Sequence, residues 1–236
     1  MTFFNRRPEL SNLIVKYFVE NNMQSFCSAA CSYGAEVYDF IFKLIEQGGY
    51  SPELKIVGCD IRKDIIQSLN MQEYKYCIID GMEIDWSDKL YYPYPIMKSV
   101  DKILYKKYFN ESNTIKQEFS EIPKFFVQDI NDKFNEKYDM VVAFAILTHL
   151  CNKPTIPFHG KKDRSHIFNI LNNLVQATNK ILILGCPLMT RYSNAAPVID
   201  MTRIFLEEYL LENKLQYELI NRKFYFIYPN GIPKGI

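Results

Sequence analysis

The sequence lacks the features of a membrane-spanning or exported chain. No apolar run approaches the roughly 18 to 20 residues that a spanning helix needs, and the first seven residues, MTFFNRR, hold no apolar core of a signal peptide. The 28 lysines and arginines are balanced by 27 aspartates and glutamates, for a net charge of +1. Such a balance gives no broad attraction to nucleic acids or anionic membranes. We therefore expect a soluble, cytoplasmic protein with neither as a partner, and an oligomeric state that the sequence leaves open.

The cysteines and histidines lack the spacing of a metal site. Six cysteines lie mostly within apolar runs, no C-x-x-C pair is present, and the three histidines are scattered. Zinc at Cys27 and Cys31, which are four residues apart, is the alternative to buried, reduced thiols, and we predict no metal. A hydrophobic fraction of 48% predicts a globular core. We expect one domain over residues 1–236, with a short N-terminal helix (1–22) and an aromatic-rich insertion (about 74–119).

The stretch from residue 25 to residue 60 predicts a nucleotide site. It contains, in order, an apolar strand (25–30), a turn of small residues (31–34), a helix (35–47) and a second strand (55–59) before Asp60. Val37, Phe40 and Ile41 repeat at helical spacing and predict a buried helix face. In such a unit the small turn residues let a ligand approach the backbone, and the helix N-terminus offers unpaired N–H groups. An acid at the tip of the second strand accepts hydrogen bonds from both ribose hydroxyls.

Glycine is scarce in this turn. Gly34 is the only glycine where a dinucleotide fingerprint, G-x-G-x-x-G, would have three. A loop that binds pyrophosphate is thus disfavoured, and a ligand with a ribose but no phosphate fits better. A nicotinamide-dependent oxidoreductase stays as the weaker alternative within the same fold class.

The later chain continues the α/β pattern. Residues 138–147 and 180–185 are apolar runs typical of parallel strands covered on both faces. A polar loop is expected at 151–164, helices at about 165–178 and 200–213, and two final strands at 216–220 and 223–228.

Residues 27–38 (CSAACSYGAEVY) resemble the segment W-S-A-(A/G)-C-S-T-G-E-E-P-Y of the chemotaxis receptor (CheR-type) methyltransferases, with Gly34, Glu36 and Tyr38 at matching offsets. Residues 58–61 (GCDI) are similar to that family's A-(T/S)-D-I. The resemblance extends from Phe3 to about Gly185. It implies a Rossmann-like class I methyltransferase fold, with a seven-stranded, mostly parallel sheet, helices on both faces and an antiparallel terminal strand. It also implies S-adenosylmethionine (SAM) as cofactor and a methyl acceptor as substrate.

The resemblance implies a role for each matching residue. Ala29, Ala30 and Gly34 would let the methionine part of SAM approach the backbone, and Glu36 would hold its amine end. Asp60 would bind the ribose, and Asp129 with Ile130 would hold adenine. Further contacts expected on the cofactor side are Ser32, Ile61, Ala143 and Phe144, and those expected on the substrate side are Arg6, Arg7, Tyr33 and Arg191.

Several departures from the family's pattern concern the substrate. The family's helical domain before the motif is absent from the sequence, and the arginine that faces its cofactor is displaced to Arg6 or Arg7. In the segment that matches C-R-N-V-L-I-Y-F, the arginine becomes Phe144, the asparagine becomes Ala145 and the tyrosine becomes His149. We therefore expect a small-molecule, peptide or protein acceptor, methylated at a carboxylate oxygen or an amine nitrogen, rather than a receptor glutamate. An acceptor that must lose a proton would use His149 as base.

Other interpretations remain open. The chain is an enzyme under the main hypothesis, and the alternative is a SAM-binding protein without catalysis. Asp129 contacts adenine or caps a helix that begins near Asn131. The insertion's tyrosines pack on the sheet or stack on bases beside their lysines. Residues 161–164 (KKDR) are a solvated loop segment or part of a substrate site.

Overall fold

The structure is a computed structural model, and it describes residues 8–72, 77–79, 96–98, 106–112, 114–144, 161–185, 196–221 and 224–232. Four predicted site residues, Arg6, Arg7, His149 and Arg191, lie outside this part of the chain. Much of the aromatic insertion, Trp86 included, also lies outside it. Roles assigned to these residues stay predictions.

Helices and strands are interspersed along the described chain. The helices are α1 (Pro8–Glu20), α2 (Ala35–Glu46), α3 (Lys63–Asn70), α4 (Gln117–Ser120), α5 (Lys161–Gln176) and α6 (Ala196–Glu212). The strands are β1 (Ser25–Ala29), β2 (Lys55–Asp60), β3 (Cys77–Ile79), β4 (Ile96–Lys98), β5 (Lys124–Val127), β6 (Tyr138–Phe144), β7 (Thr178–Gly185), β8 (Gln216–Ile220) and β9 (Phe224–Tyr228). The predicted strand, turn, helix and strand of residues 25–60 are confirmed within one or two residues at each boundary.

Seven of the strands form one sheet in the order β5-β2-β1-β6-β7-β9-β8, and β3 and β4 form a separate parallel pair. The pairs β1–β2, β2–β5 and β6–β7 are parallel, whereas β9 is antiparallel to both β7 and β8. The predicted α/β class, the mostly parallel sheet and the antiparallel terminal strand are therefore confirmed. The chain divides into two compact units, residues 1–127 and 128–236. The prediction of a single domain stays a prediction.

Aromatic side chains build the core of the first unit. Phe40 of α2 stacks on Phe26 of β1 with ring centroids 3.8 Å apart, and Phe18 of α1 meets Phe40 edge-on at 5.1 Å. The predicted apolar face of α2 supplies Phe40, because its apolar residues repeat at helical spacing. The buried α2 face also includes Val37 and Ile41.

The described end of the insertion packs on α2. Tyr108 stacks on Phe42 at 3.9 Å, and its hydroxyl donates a hydrogen bond to the Phe42 carbonyl at 3.3 Å. Phe109 and Phe119 meet the Phe42 ring edge-on. Tyr108 is buried, although Lys107 lies 4.9 Å above its ring. For this tyrosine the base-stacking alternative is wrong, because a buried ring has no free face for a base. The ring packs on helix α2, whereas packing on the sheet was predicted.

The second unit contains the two predicted buried strands, β6 and β7. Helix α5 begins at Lys161, so the predicted loop over residues 151–164 is wrong for residues 161–164. Arg164, in the first turn of α5, pairs with Glu208 at 2.9 Å and also with Glu212, both on α6. These partners, more than forty residues away in sequence, favour helix where composition alone suggested a loop.

An acidic side chain links α6 to β9. Glu207 accepts hydrogen bonds at 2.8 Å from its helix neighbour Arg203 and from the hydroxyl of buried Tyr225. Burial raises the pKa of Glu207, but these two donors outweigh it and leave that pKa below its ordinary value. No helix of the described residues combines the length and the apolar character needed to cross a membrane.

Candidate functional site

The turn between β1 and α2 has an unusual backbone. Ala30 (φ 54°), Ser32 (φ 49°) and Gly34 (φ 73°) all adopt left-handed conformations. Left-handed residues other than glycine are uncommon, and they concentrate at ligand sites where surrounding contacts hold them. Here one such contact is the hydrogen bond at 2.8 Å from the Cys31 N–H to the Cys59 carbonyl of β2. The turn is thereby fixed against the end of the neighbouring strand.

Asp60, at the tip of β2, is hydrogen-bonded to the same turn. Its Oδ2 accepts a hydrogen bond from the Ser32 N–H at 2.9 Å, and its Oδ1 accepts one from the Arg62 N–H at 3.0 Å. The residue is only 8% exposed. A carboxylate offers about four acceptor positions, so two bonds leave it room for ligand hydroxyls. The acid predicted to bind ribose is therefore also a structural link.

Helix α2 begins directly after this turn. Gly34 is its N-cap residue, and no side chain caps the helix there. Glu36 is half-buried and lies in the first turn, where a carboxylate interacts favourably with the helix dipole. Its predicted contact with a cofactor amine stays a prediction.

The ring of Phe125 on β5 lies against Gly34 and Gly58, close to where a Cβ atom on either residue would be. A Cβ on Gly34 would lie 3.1 Å from the Phe125 Cζ, and one on Gly58 would lie 2.8 Å from its Cδ1. The Gly58 Cβ would also come within 3.0 Å of the Cys31 sulfur. Close packing and a left-handed backbone thus explain Gly34 without a ligand. Its predicted role, backbone approach by the cofactor, stays a prediction.

Two exposed apolar side chains lie at the carboxyl ends of adjacent strands. Ile61 follows β2 and is 59% exposed, and Val127, the last residue of β5, is 43% exposed. Val127 is the strand partner of Asp60. Ile61 was predicted as a site residue, whereas Val127 was missed because register between strands cannot be read from the sequence. Apolar side chains beside a carboxylate suit a ligand with one flat apolar part and one hydroxylated part.

Arg62 is a second residue that the sequence analysis missed. Besides its backbone bond to Asp60, its guanidinium pairs with Asp64 at 2.6 Å. The hydrogen bond that the Arg62 guanidinium donates to Asp64 is the main cause that raises the pKa of Arg62, and the charges of Asp64 and Tyr33 add to it. Tyr33, predicted on the substrate side, is half-buried in the turn. An arginine two residues after the acid at the β2 tip was the available signal.

Asp129 and Ile130 follow β5 in a tight turn. The Asp129 Oδ1 accepts hydrogen bonds from the Asn131 N–H at 2.9 Å and from the Asn131 Nδ2 at 2.8 Å. The backbone N–H of Asp132 donates to the Asp129 carbonyl at 3.0 Å, and no helix follows. The alternative that Asp129 caps a helix is therefore wrong. Ile130 is half-buried.

The remaining cofactor-side predictions concern β1 and β6. Ala29 and Ala143 are buried within their strands, and Ala30 is half-buried in the turn. Phe144 ends β6, with its ring edge-on to Phe224 at 5.9 Å. Their cofactor contacts stay predictions. The structure brings Ala30, Ser32, Gly34, Asp60 and Ile61 together around the turn and the β2 tip.

The described thiols are free and buried. Cys27, Cys31 and Cys59 form no disulfide, and burial raises the pKa values of the Cys27 and Cys31 thiols well above the ordinary value. Protonated, enclosed thiols are poor nucleophiles and poor metal ligands. Across the described ranges, no three side chains of histidine, cysteine or acid are grouped to hold a metal ion.

Comparison with known proteins identifies the fold. No protein-family model matches the chain, and no curated protein matches it significantly. Among solved structures, a Staphylococcus aureus protein described as a caffeoyl-CoA O-methyltransferase aligns with a TM-score of 0.52 at 9% identity, over 93% of this chain and 82% of that one. The methyltransferase domain of bacterial CtHen1-CN aligns with a TM-score of 0.52 at 7% identity, over 93% and 97% of the two chains.

A third similar structure comes from Nostoc punctiforme and is described as an O-methyltransferase. It aligns with a TM-score of 0.50 at 11% identity, over 93% of this chain and 55% of that one. Identities this low establish architecture alone. The chain has the Rossmann-like class I methyltransferase fold.

Proposed function

We propose that the protein is a SAM-dependent methyltransferase that acts on a small molecule, a peptide or a protein. The bond from the Ser32 N–H to the Asp60 carboxylate carries this proposal. It joins the left-handed turn before α2 to the acid at the tip of β2, the two elements that a nucleoside needs for its backbone contacts and its ribose. The bond spans 28 residues of sequence, so it reflects how the chain folds around this point.

The residues present fit the cofactor. Asp60 would accept from the ribose hydroxyls, Ile61 and Val127 offer exposed apolar surface for adenine, and Asp129 would accept from the adenine exocyclic amine. Ala30 in the left-handed turn and Glu36 in the first turn of α2 would meet the methionine part. When bound, SAM supplies an electrophilic methyl group. The chain's own contribution is to hold donor and acceptor in line at about 3 Å and to exclude water.

The acceptor decides whether a base is needed. A carboxylate is ionised at neutral pH and attacks without proton transfer. An ammonium or phenol must lose its proton first, and for such an acceptor we assign the base to His149. A rate that rises with pH through the histidine range and becomes flat in a His149→Ala variant would support the assignment.

We also propose kinship with the CheR-type methyltransferases, on the sequence of the turn and of residues 58–61. Phe144 and Ala145 replace that family's arginine and asparagine, so the acceptor we propose is not a receptor glutamate. Buried, reduced cysteines support a cytoplasmic location.

Calorimetric titration of the purified protein with SAM, S-adenosylhomocysteine and NAD tests the function. We expect micromolar binding of the two sulfur ligands and none of NAD. Binding of NAD alone would establish the oxidoreductase alternative, and binding of none would refute the cofactor site. If SAM binds, release of S-adenosylhomocysteine with a panel of carboxylate and amine acceptors separates an enzyme from a binding protein.

A further inference from the structure

A buried asparagine of α5 holds the backbone next to Asp129. Asn173 is only 7% exposed, and its Nδ2 donates hydrogen bonds to the Ile130 carbonyl at 3.1 Å and to the Asn131 carbonyl at 2.7 Å. One turn earlier on the same helix, Asn169 donates to the Asn131 carbonyl at 3.0 Å. Two amide side chains from one helix therefore converge on two consecutive carbonyls of one loop.

The loop is also held by its own side chains. Gln128 Nε2 donates to the Asp129 carbonyl at 2.7 Å, and both Asn131 donors go to Asp129 Oδ1. Among the described residues, no donor is bound to Asp129 Oδ2. One carboxylate oxygen is thus used to set the orientation of the group, and the other is left to accept from a ligand.

We propose that Asn173, assisted by Asn169, is a positioning residue for recognition of the adenine ring. This inference rests on the proposed function, in which Asp129 accepts a hydrogen bond from the adenine amine. Asn173 holds the carbonyls of Ile130 and Asn131, the two residues after Asp129, so the carboxylate keeps one orientation before ligand binds. Binding sites select among ligands only when supporting residues hold the contacting group to within a fraction of an ångström.

A purely structural role would have a different signature. If Asn173 only satisfied two loop carbonyls, its loss would weaken the fold and reduce the affinity for every cofactor analogue equally. A positioning role predicts that discrimination between adenine and a ring without the amine is lost. The informative pair of ligands is therefore S-adenosylhomocysteine and S-inosylhomocysteine, in which a carbonyl oxygen replaces the exocyclic amine.

The experiment measures both affinities by calorimetry for the wild type and three variants. Wild type should prefer the adenosyl ligand about 10- to 100-fold, the range expected for one hydrogen bond to a charged acceptor. Asn173→Asp keeps the shape but removes the amide donors, and its preference should fall at least fivefold. Asp129→Asn, which can donate to the inosine carbonyl, should lose the preference. Gln176→Ala, an exposed change at the end of α5, is the matched control and should behave as wild type.

Each outcome is decisive. If the wild type binds neither ligand, the proposed function fails. If the wild type binds both ligands equally, Asp129 does not recognise the adenine amine. If Asn173→Asp keeps the full preference for the adenosyl ligand, or loses affinity for both ligands equally, the positioning role is refuted while SAM binding stands. Should circular dichroism show that Asn173→Asp does not fold, Asn169→Ala replaces it, because Asn169 is exposed and holds the same carbonyl. A full preference in Asn169→Ala would then refute the inference.

Discussion

Replacing Asp60 tests the fold and the site in one variant. The carboxylate accepts two backbone hydrogen bonds, from Ser32 at 2.9 Å and from Arg62 at 3.0 Å. A hydrogen bond to a charged group contributes about 1.5–3 kcal/mol, and both of these are only partly buried, so water recovers some of the loss. We expect Asp60→Ala to lower the free energy of unfolding by about 2–4 kcal/mol. Since domains are stable by about 5–15 kcal/mol, the variant should still fold at low temperature.

The same change removes the proposed ribose acceptor. Stranding the two ribose hydroxyls should cost about 1–3 kcal/mol of binding, which corresponds to a roughly 5- to 150-fold weaker affinity for SAM. Asp60→Asn should lie between wild type and Asp60→Ala in both measurements, because the amide keeps one acceptor oxygen and presents a donor where the other was.

Urea denaturation gives the stability, and calorimetry at about 10 °C, where every variant is folded, gives the affinity. Asp64→Asn is the control, since that acid is exposed and its salt bridge is with the Arg62 side chain. It should leave the SAM affinity unchanged and change the stability far less than Asp60→Ala does, because exposed salt bridges contribute little. An Asp60→Ala protein with wild-type stability would refute the anchoring of the turn. Unchanged SAM affinity in the folded variant would refute the ribose assignment.

Three further predictions concern the core and the second unit. Gly58→Ala should lose about 1–3 kcal/mol of stability in urea denaturation, because its methyl group would meet the Phe125 ring. Adding Phe125→Leu to this variant should recover part of that loss. If the stability effects of the two substitutions simply added, the steric cause would be contradicted. Because the pKa of Glu207 is lowered, its stabilisation is present above the unfolded pKa near 4.5 and is lost as pH falls through the folded value. The stability difference between wild type and Glu207→Gln, below about 1 kcal/mol, should therefore shrink as pH falls below 4.5, and a difference that grows there is the contrary result. Cys27 and Cys31 should resist alkylation at pH 8 until denaturant is added, as mapped by mass spectrometry, and rapid native labelling would show that these thiols are accessible.

The features that could be predicted from the sequence are those that depend on local pattern. The α2 stripe around Phe40 and the apolar runs of β6 and β7 fix their own secondary structure, because burial follows the helical and strand periods. Asp60 was identified because an acid ends an apolar strand. These are properties of one segment at a time.

What the sequence could not supply depends on register and on distant partners. The pairing of Asp60 with Val127 is set by the alignment of β2 with β5, and Arg164 in the first turn of α5 has its partners on α6. Neither is encoded within its own segment. The hydrogen bonds from Asn173 join a helix to a loop more than forty residues earlier, and an asparagine in a helix gives no sign of its target.

The two carboxylates that we propose contact the cofactor are held in different ways, and this difference yields a last prediction. Asp60 bonds to backbone groups on both of its sides, one of them 28 residues distant, whereas Asp129 bonds through Oδ1 to Asn131 within its own turn. Asparagine at position 129 retains an acceptor for those local donors, so Asp129→Asn should keep the wild-type melting temperature, while Asp60→Asn should lower it. Both variants should bind S-adenosylhomocysteine more weakly. Thermal unfolding with and without that ligand measures both effects together. If Asp129→Asn melted lower than Asp60→Asn, the local turn would be the more important structural link, and a loss of affinity at Asp129 would no longer indicate contact with the ligand.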